Sequence, residues 1–143
     1  MDKYDKLKLD NQLCFSLYAL SREVIKLYNP LLDKYNLTYT QYIAMLVMWE
    51  EEKIIFKELG KRLHLDSGTL TPVIKKLESM ELVTKYRNKE DDRVVTVELT
   101  EKGKLLKEDI IEVPENIYSM CLGDGVDLLS LKSQLDTLLK MFD

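Results

Sequence analysis

Apolar residues near the amino end recur at the spacing of a paired helix. Leu13, Leu17, Leu20, Val24, Leu27 and Leu31 step by 4, 3, 4, 3 and 4 positions, a narrow seam on an otherwise polar helix. The carboxyl end repeats the pattern, with Leu128, Leu131, Leu135, Leu138 and Phe142 stepping by 3, 4, 3 and 4. Between them the rhythm shortens. Thr38-x-x-Gln41 fits a capping box and predicts a helix through Ile43, Leu46, Val47 and Trp49 to about Glu51. A short helix over Phe56 to Leu63, a turn over His64 to Ser67 and a third helix over about Gly68 to Met80 follow. The period then changes to two. Val95, Val97 and Leu99 point one way, and Val94, Thr96 and Glu98 the other. Leu82 to Arg87 is the partner strand, and Asn88 to Asp92 is the polar connection. Thr100 opens a helix expected over Glu101 to Val113, with Pro114 interrupting it, and Gly123-Asp124-Gly125 marks a turn before the last helix.

The pattern predicts a mainly α protein with a small β-hairpin wing, a winged helix-turn-helix. Residues 36–103 would form the DNA-binding region, with its third helix at about 68–80 and a wing at about 82–99. Residues 1–35 and 104–143 would form a helical dimerisation region. A monomer could bury both end stripes against its own core; a dimer built from both ends is the sharper reading.

Composition narrows the function classes. The chain has 143 residues, 45% hydrophobic and 32% charged, which is globular rather than disordered. No stretch approaches the roughly 20 apolar residues of a membrane span, and the charged amino end is no signal peptide, so a cytoplasmic protein is expected. One His and two Cys that are 107 positions apart leave no metal-ligand spacing, and neither metal nor cofactor is expected. The net charge of −4 argues weakly against nucleic acid, but from Lys57 to Arg93 the balance is +2, leaving −6 for the rest.

The chemistry of that middle segment suits a DNA duplex. A short helix fits the major groove, and its amino end offers free N–H groups and a positive dipole to phosphate. Ser67, Thr69 and Thr71 supply small hydroxyls there, with Lys75 and Lys76 a turn later. Lys85, Arg87, Lys89 and Arg93 make the hairpin basic, able to reach phosphates or the minor groove. A charge run alone would mean only a solvated face. The ordered series of turn, hydroxyl-rich helix start and basic hairpin favours DNA.

Ser67-Gly-Thr-Leu-Thr-Pro-Val-Ile-Lys-Lys-Leu-Glu78, Leu82-Val83, Asp91-Asp92-Arg93 and Leu99-Thr-Glu-Lys-Gly103 resemble the signature of MarR-family regulators over essentially the whole chain. The resemblance implies that Gly68 to Met80 is the recognition helix, that Arg93 is the wing-tip arginine, that Asp91 braces it, and that a homodimer binds a palindromic operator with half-sites about one helical turn apart. One departure stands out. The family usually has Gly after the recognition helix, where this chain has Glu81. Glu there costs roughly 1 kcal/mol of left-handed strain or closes the helix differently. Pro72, a turn inside the helix, forfeits one backbone bond and is read as structural.

Cys14 lies near the start of the first helix, with Tyr18 a turn later; Tyr28 and Tyr39 bracket the next helix junction. Phenolic O–H groups can hydrogen-bond a thiolate, and a helix amino end favours negative charge. Taken alone, these residues read as core packing. Asn11-Gln-Leu-Cys-Phe15, Leu27-Tyr-Asn-Pro-Leu-Leu-Asp33 and Leu37-Thr-Tyr-Thr-Gln-Tyr42 closely resemble the organic-hydroperoxide-sensing, OhrR-type branch of the family. That resemblance implies that Cys14 is the redox-sensing thiolate and that Tyr28 and Tyr39 reach it from the partner subunit. It also implies that Cys121 is a resolving thiol across the dimer. If Cys121 is instead inert, a low-molecular-weight thiol would cap Cys14. The implied function is a repressor that binds its operator when reduced and leaves it when oxidised by organic hydroperoxide, not an enzyme. Two alternatives stay open: a repressor released by a small aromatic effector, and a thiol peroxidase. The second has no support beyond Cys14. His64 reads as a cap or turn residue, not a base.

Overall fold

Two short 3-10 helices, Lys3–Leu7 and Leu9–Asn11, lead into the long helix α1, Leu13–Asp33. The computed structural model describes residues 2–121 and 125–143. They divide into two units, Met1–Tyr39 and Thr40–Asp143. In the first unit, polar side chains stitch the leader: Gln12 Nε2 donates to the carbonyls of Lys6 (2.7 Å) and Lys8 (2.8 Å), and Asn11 Nδ2 to that of Asp5 (2.7 Å). The apolar seam of α1 is open where it starts and closes later. Leu13, Leu17 and Leu20 are exposed, Val24, Leu27 and Leu31 are half-buried, and Leu32 is buried. Pro30 lies within the helix.

The second unit begins with α2 (Tyr39–Glu51) and a three-residue strand β1 (Lys53–Ile55), followed by α3 (Phe56–Leu63) and α4 (Ser67–Ser79). Strands β2 (Val83–Arg87) and β3 (Val95–Leu99) form the hairpin. Helices α5 (Glu101–Ile110), α6 (Glu112–Cys121) and α7 (Leu128–Leu139) and a 3-10 turn, Lys140–Phe142, complete it. The core takes one apolar row from each element: Met45 and Met48 of α2, Leu59 of α3, Leu70, Ile74 and Leu77 of α4, Val83 and Val97 of the hairpin, and Val113 of α6.

Sequence periodicity did not foresee β1, because three residues are too few for an alternation to register. Glu52 makes it possible by turning left-handed (φ 62°) after α2. The strand then pairs antiparallel with β3, Ile54 opposite Val97, giving a three-stranded sheet in the order β1-β3-β2. The helix expected to run to Val113 ends at Ile110. Proline lacks the N–H that would bond four residues back, so Pro114 breaks the ladder at Ile110. It then sits in the first turn of α6, where that donor is not needed. Of the expected turn at residues 123–125, the first two lie outside the described residues; Gly125 takes φ 91°. The recognition helix starts at Ser67 and ends at Ser79, a one-residue shift from expectation.

Gly103 locks α5 onto the hairpin. A Cβ there would stand 2.4 Å from the Leu82 carbonyl oxygen, and its own carbonyl accepts from Trp49 Nε1 at 2.9 Å. Thr100 caps α5, accepting from the Gly103 N–H (3.0 Å) and donating to the Glu81 carbonyl (2.7 Å). Glu81 is left-handed at φ 63°, with the Leu82 N–H returning to the Leu77 carbonyl at 3.0 Å. The helix thus closes as a glycine would close it, at the cost of the strain.

Candidate nucleic-acid interface and sensor cysteine

The amino end of α4 is built by Asp66. Its Oδ1 accepts the Thr69 N–H at 2.8 Å. The backbone and hydroxyl of Thr69 hold the Asp66 carboxyl below the usual carboxylate range. Sequence reasoning passed over this cap, although Asp directly before a helix is the ordinary signal for one. Leu70, Ile74 and Leu77 are buried in the core, while Ser67, Thr69, Thr71, Lys75 and Lys76 are exposed. Thr71 is partly spent locally, its hydroxyl donating to the Ser67 carbonyl at 2.6 Å. The turn before α4 is tight. His64 caps α3 in a left-handed conformation (φ 55°), and the Leu65 N–H reaches the Gly60 carbonyl at 2.9 Å. Arg62 pairs with Glu50 and Glu51 and so ties α3 to the end of α2.

In the wing, Asn88 Oδ1 accepts the Glu90 N–H at 2.7 Å, and the Asn88 N–H donates to the Val94 carbonyl at 2.8 Å. Arg93 is exposed, its side chain 90% accessible. Its Nε donates to Asp91 Oδ1 (3.1 Å) and its Nη2 to Oδ2 (3.3 Å). That guanidinium, then the Arg93 backbone N–H, keeps the Asp91 carboxyl below its ordinary value. Lys89 is exposed. Arg87 and Lys85 are employed within the fold. Arg87 Nη1 donates to the Asp92 carbonyl at 2.6 Å, and Lys85 Nζ stands 4.9 Å over the Phe56 ring. Of the expected wing bases, Arg87, Lys89 and Arg93 are exposed and Lys85 is half-buried.

Cys14 is the second residue of α1, a free and exposed thiol. Gln12 precedes the helix without a side-chain cap, so no side chain takes up the first-turn N–H groups from that position. Tyr18, a turn away, accepts from Arg22 Nη1 at 2.9 Å, with that guanidinium 5.5 Å over its ring. Tyr28 and Tyr39 stack edge-on, centroids 4.8 Å apart, and burial pushes the Tyr39 phenol up. Fourteen helical residues separate Cys14 from Tyr28, about 21 Å of rise. The tyrosine pair therefore lies far from the thiol of its own chain. Cys121 ends α6; its side chain lies outside the described residues. No helix among the described residues is long and apolar enough to cross a membrane, and none of their acidic, His or Cys side chains cluster as a metal site would.

Comparison with known proteins places these features in a consistent setting. A family model of SarA/Rot transcriptional regulators matches residues 26–110. The organic hydroperoxide resistance transcriptional regulator of Bacillus subtilis is 52% identical over 97% of this chain and 95% of its own. AbfR of Staphylococcus epidermidis has been solved in several states. Reduced AbfR bound to DNA superposes with a TM-score of 0.79 at 32% identity, and overoxidised AbfR bound to DNA with 0.80 at 34%, each over 99% of this chain and 100% of that one. Disulfide-formed AbfR gives 0.69 at 34% identity over 98% and 96%.

Proposed function

The chain belongs to the SarA/Rot and MarR-type transcriptional regulators, in the organic hydroperoxide resistance branch, and from that membership we propose that it is a redox-sensing repressor. As a reduced homodimer it grips a palindromic operator. The amino ends of the two α4 helices enter the major groove, with Ser67, Thr69, Lys75 and Lys76 at the duplex and Arg93 beside it. Residues 1–35 and 104–143 hold the dimer together. The unpartnered leucines of α1, and an α7 that buries none of its residues, are what a second copy would cover.

The observation that carries the reading is Cys14, an exposed free thiol in the first turn of a helix. Its thiolate attacks an organic hydroperoxide. An S–O bond forms, the O–O bond breaks, sulfur loses two electrons, and the peroxide leaves as an alkoxide that takes a proton to become the alcohol. Tyr28 and Tyr39 of the partner subunit steady the thiolate, since their own-chain Cys14 is out of reach. The Cys121 thiolate then attacks the sulfenic sulfur, forming the S–S bond and expelling hydroxide, which is protonated to water. Overoxidised AbfR is found on DNA. That favours the disulfide, rather than oxidation of sulfur alone, as the step that moves the two recognition helices off their spacing.

The test is operator binding before and after stoichiometric organic hydroperoxide, with non-reducing gels. Wild type should lose the operator and run at twice the monomer mass. Cys14→Ser should keep the operator, and Cys121→Ser should form no cross-link. Undiminished binding after full oxidation of Cys14 and cross-linking would contradict the reading. A second reading, release by a small aromatic effector, has one observation of its own. A cavity of about 370 Å³ lies beside Tyr42, Leu46, Trp49, Lys107, Ile110 and Pro114. Release of Cys14→Ser by such a compound would favour it.

A further inference from the structure

The wing sheet is fastened to the helix-turn-helix from both faces. On the outer face Glu98 of β3 is the hub. Its Oε1 accepts the Tyr86 hydroxyl of β2 at 2.7 Å and lies 3.8 Å from Lys53 Nζ of β1. The same ammonium stands 5.9 Å over the Tyr86 ring. Strand register puts Lys53, Glu98 and Thr84 in one row and Tyr86 two residues along on the same face. On the inner face Lys85 covers the Phe56 ring. Phe56 is the first residue of α3, and β1 ends at Ile55, immediately before it. Both fastenings therefore meet where the sheet becomes the helix-turn-helix.

We infer that Glu98 is a positioning residue for DNA binding: acting through Tyr86 and Lys53, it sets the attitude of the wing, and so of Arg93, relative to α4. The inference rests on the DNA-binding reading above. A lever argument gives its scale. From Glu98 the strand runs back to Val95, three extended steps or about 10 Å, and Arg93 stands in the turn past it. A tilt of about 10° at the hub moves the end of the strand by about 2 Å, enough to break a hydrogen bond. The charge sign makes the role testable. A carboxylate near a duplex opposes the phosphates, so deleting one with no positioning role should tighten binding.

The probe is a duplex enriched by the reduced wild-type chain from a random-sequence pool. Tyr86→Phe and Glu98→Ala should each weaken binding about three- to fivefold, the worth of an exposed pair. The double variant should be no weaker than the poorer single. Hydroxyl-radical footprints should lose the outermost protections and keep those of the recognition helix. Tyr86→Phe, which removes one oxygen and no charge, should melt with wild type. Glu98→Ala binding as tightly as wild type or tighter, with an unchanged footprint, would overturn the inference. A wild-type chain that enriches no duplex would remove the DNA-binding reading itself, and the inference with it.

Discussion

The reading head and the two ends of this chain are completed in different ways. Between α2 and β3 the bulk of the apolar side chains is inside: Met45, Met48, Leu59, Leu70, Ile74, Leu77, Val83 and Val97 are buried. The turns there are closed by named bonds, from the Asp66 cap to the Asn88 turn. The ends do the opposite. Leu13, Leu17 and Leu20 face solvent, and Leu138 and Phe142 do so at the other terminus. A region that must present fixed geometry to a duplex is finished within one chain. In the proposed repressor the ends, which respond to the oxidant, are left for a second chain to finish, so a covalent change there acts on how two copies meet.

The contrast can be broken at several points. Leu20→Glu would place an unpaired charge in the proposed seam and should weaken self-association a hundredfold or more, by roughly 3 kcal/mol. Sedimentation should then show monomers with an intact reading head; a dimer of unchanged affinity would mean the seam is not the interface. Gly103→Ala strikes the other region. It forces a methyl against the Leu82 carbonyl and should cost about 1–3 kcal/mol in denaturant unfolding. The rate of Cys14 oxidation should stay as it was. Smallest of all, Glu81→Gly relieves left-handed strain against a more flexible unfolded chain and should gain about 0.5–1 kcal/mol. The acidic caps add a pH arm. Asp66 and Asp91 are held below their usual value, so their contribution is whole above the unfolded-state value of about 4 and is lost only as pH falls through the lowered one.

Much of the architecture was legible in the order of residues, because long amphipathic periods and a sharp switch from 3.6 to 2 mark their elements strongly. Helix α3 stands at its expected bounds. What escaped was short or acted at a distance. Strand β1 is three residues long, and Pro114 acts on the carbonyl four positions earlier rather than where it stands. In the wing, composition counted four bases alike, yet three have partners within the fold: Lys85 over an aromatic ring, Arg87 on a backbone carbonyl and Arg93 on the Asp91 carboxylate. The pairing of Glu98 with Tyr86 and Lys53 escaped as well, since cross-strand pairing is invisible until the register is known. The proposed sensor was legible only through family likeness, because Cys14 and the Tyr28–Tyr39 pair lie far apart in a single chain.

The central claim is that each Cys14 is served by the other chain's tyrosines, and mixed dimers test it most directly. One mixture pairs Cys14→Ser with a chain carrying Tyr28→Phe and Tyr39→Phe; its remaining thiol faces intact partner tyrosines. The other pairs wild type with a chain carrying all three changes, so that its remaining reactive site faces none. Stopped-flow oxidation by organic hydroperoxide should run at the wild-type rate in the first and roughly tenfold slower in the second, about the worth of one phenolic hydrogen bond to a charged sulfur. Equal rates in the two mixtures, or the reverse order, would contradict the account.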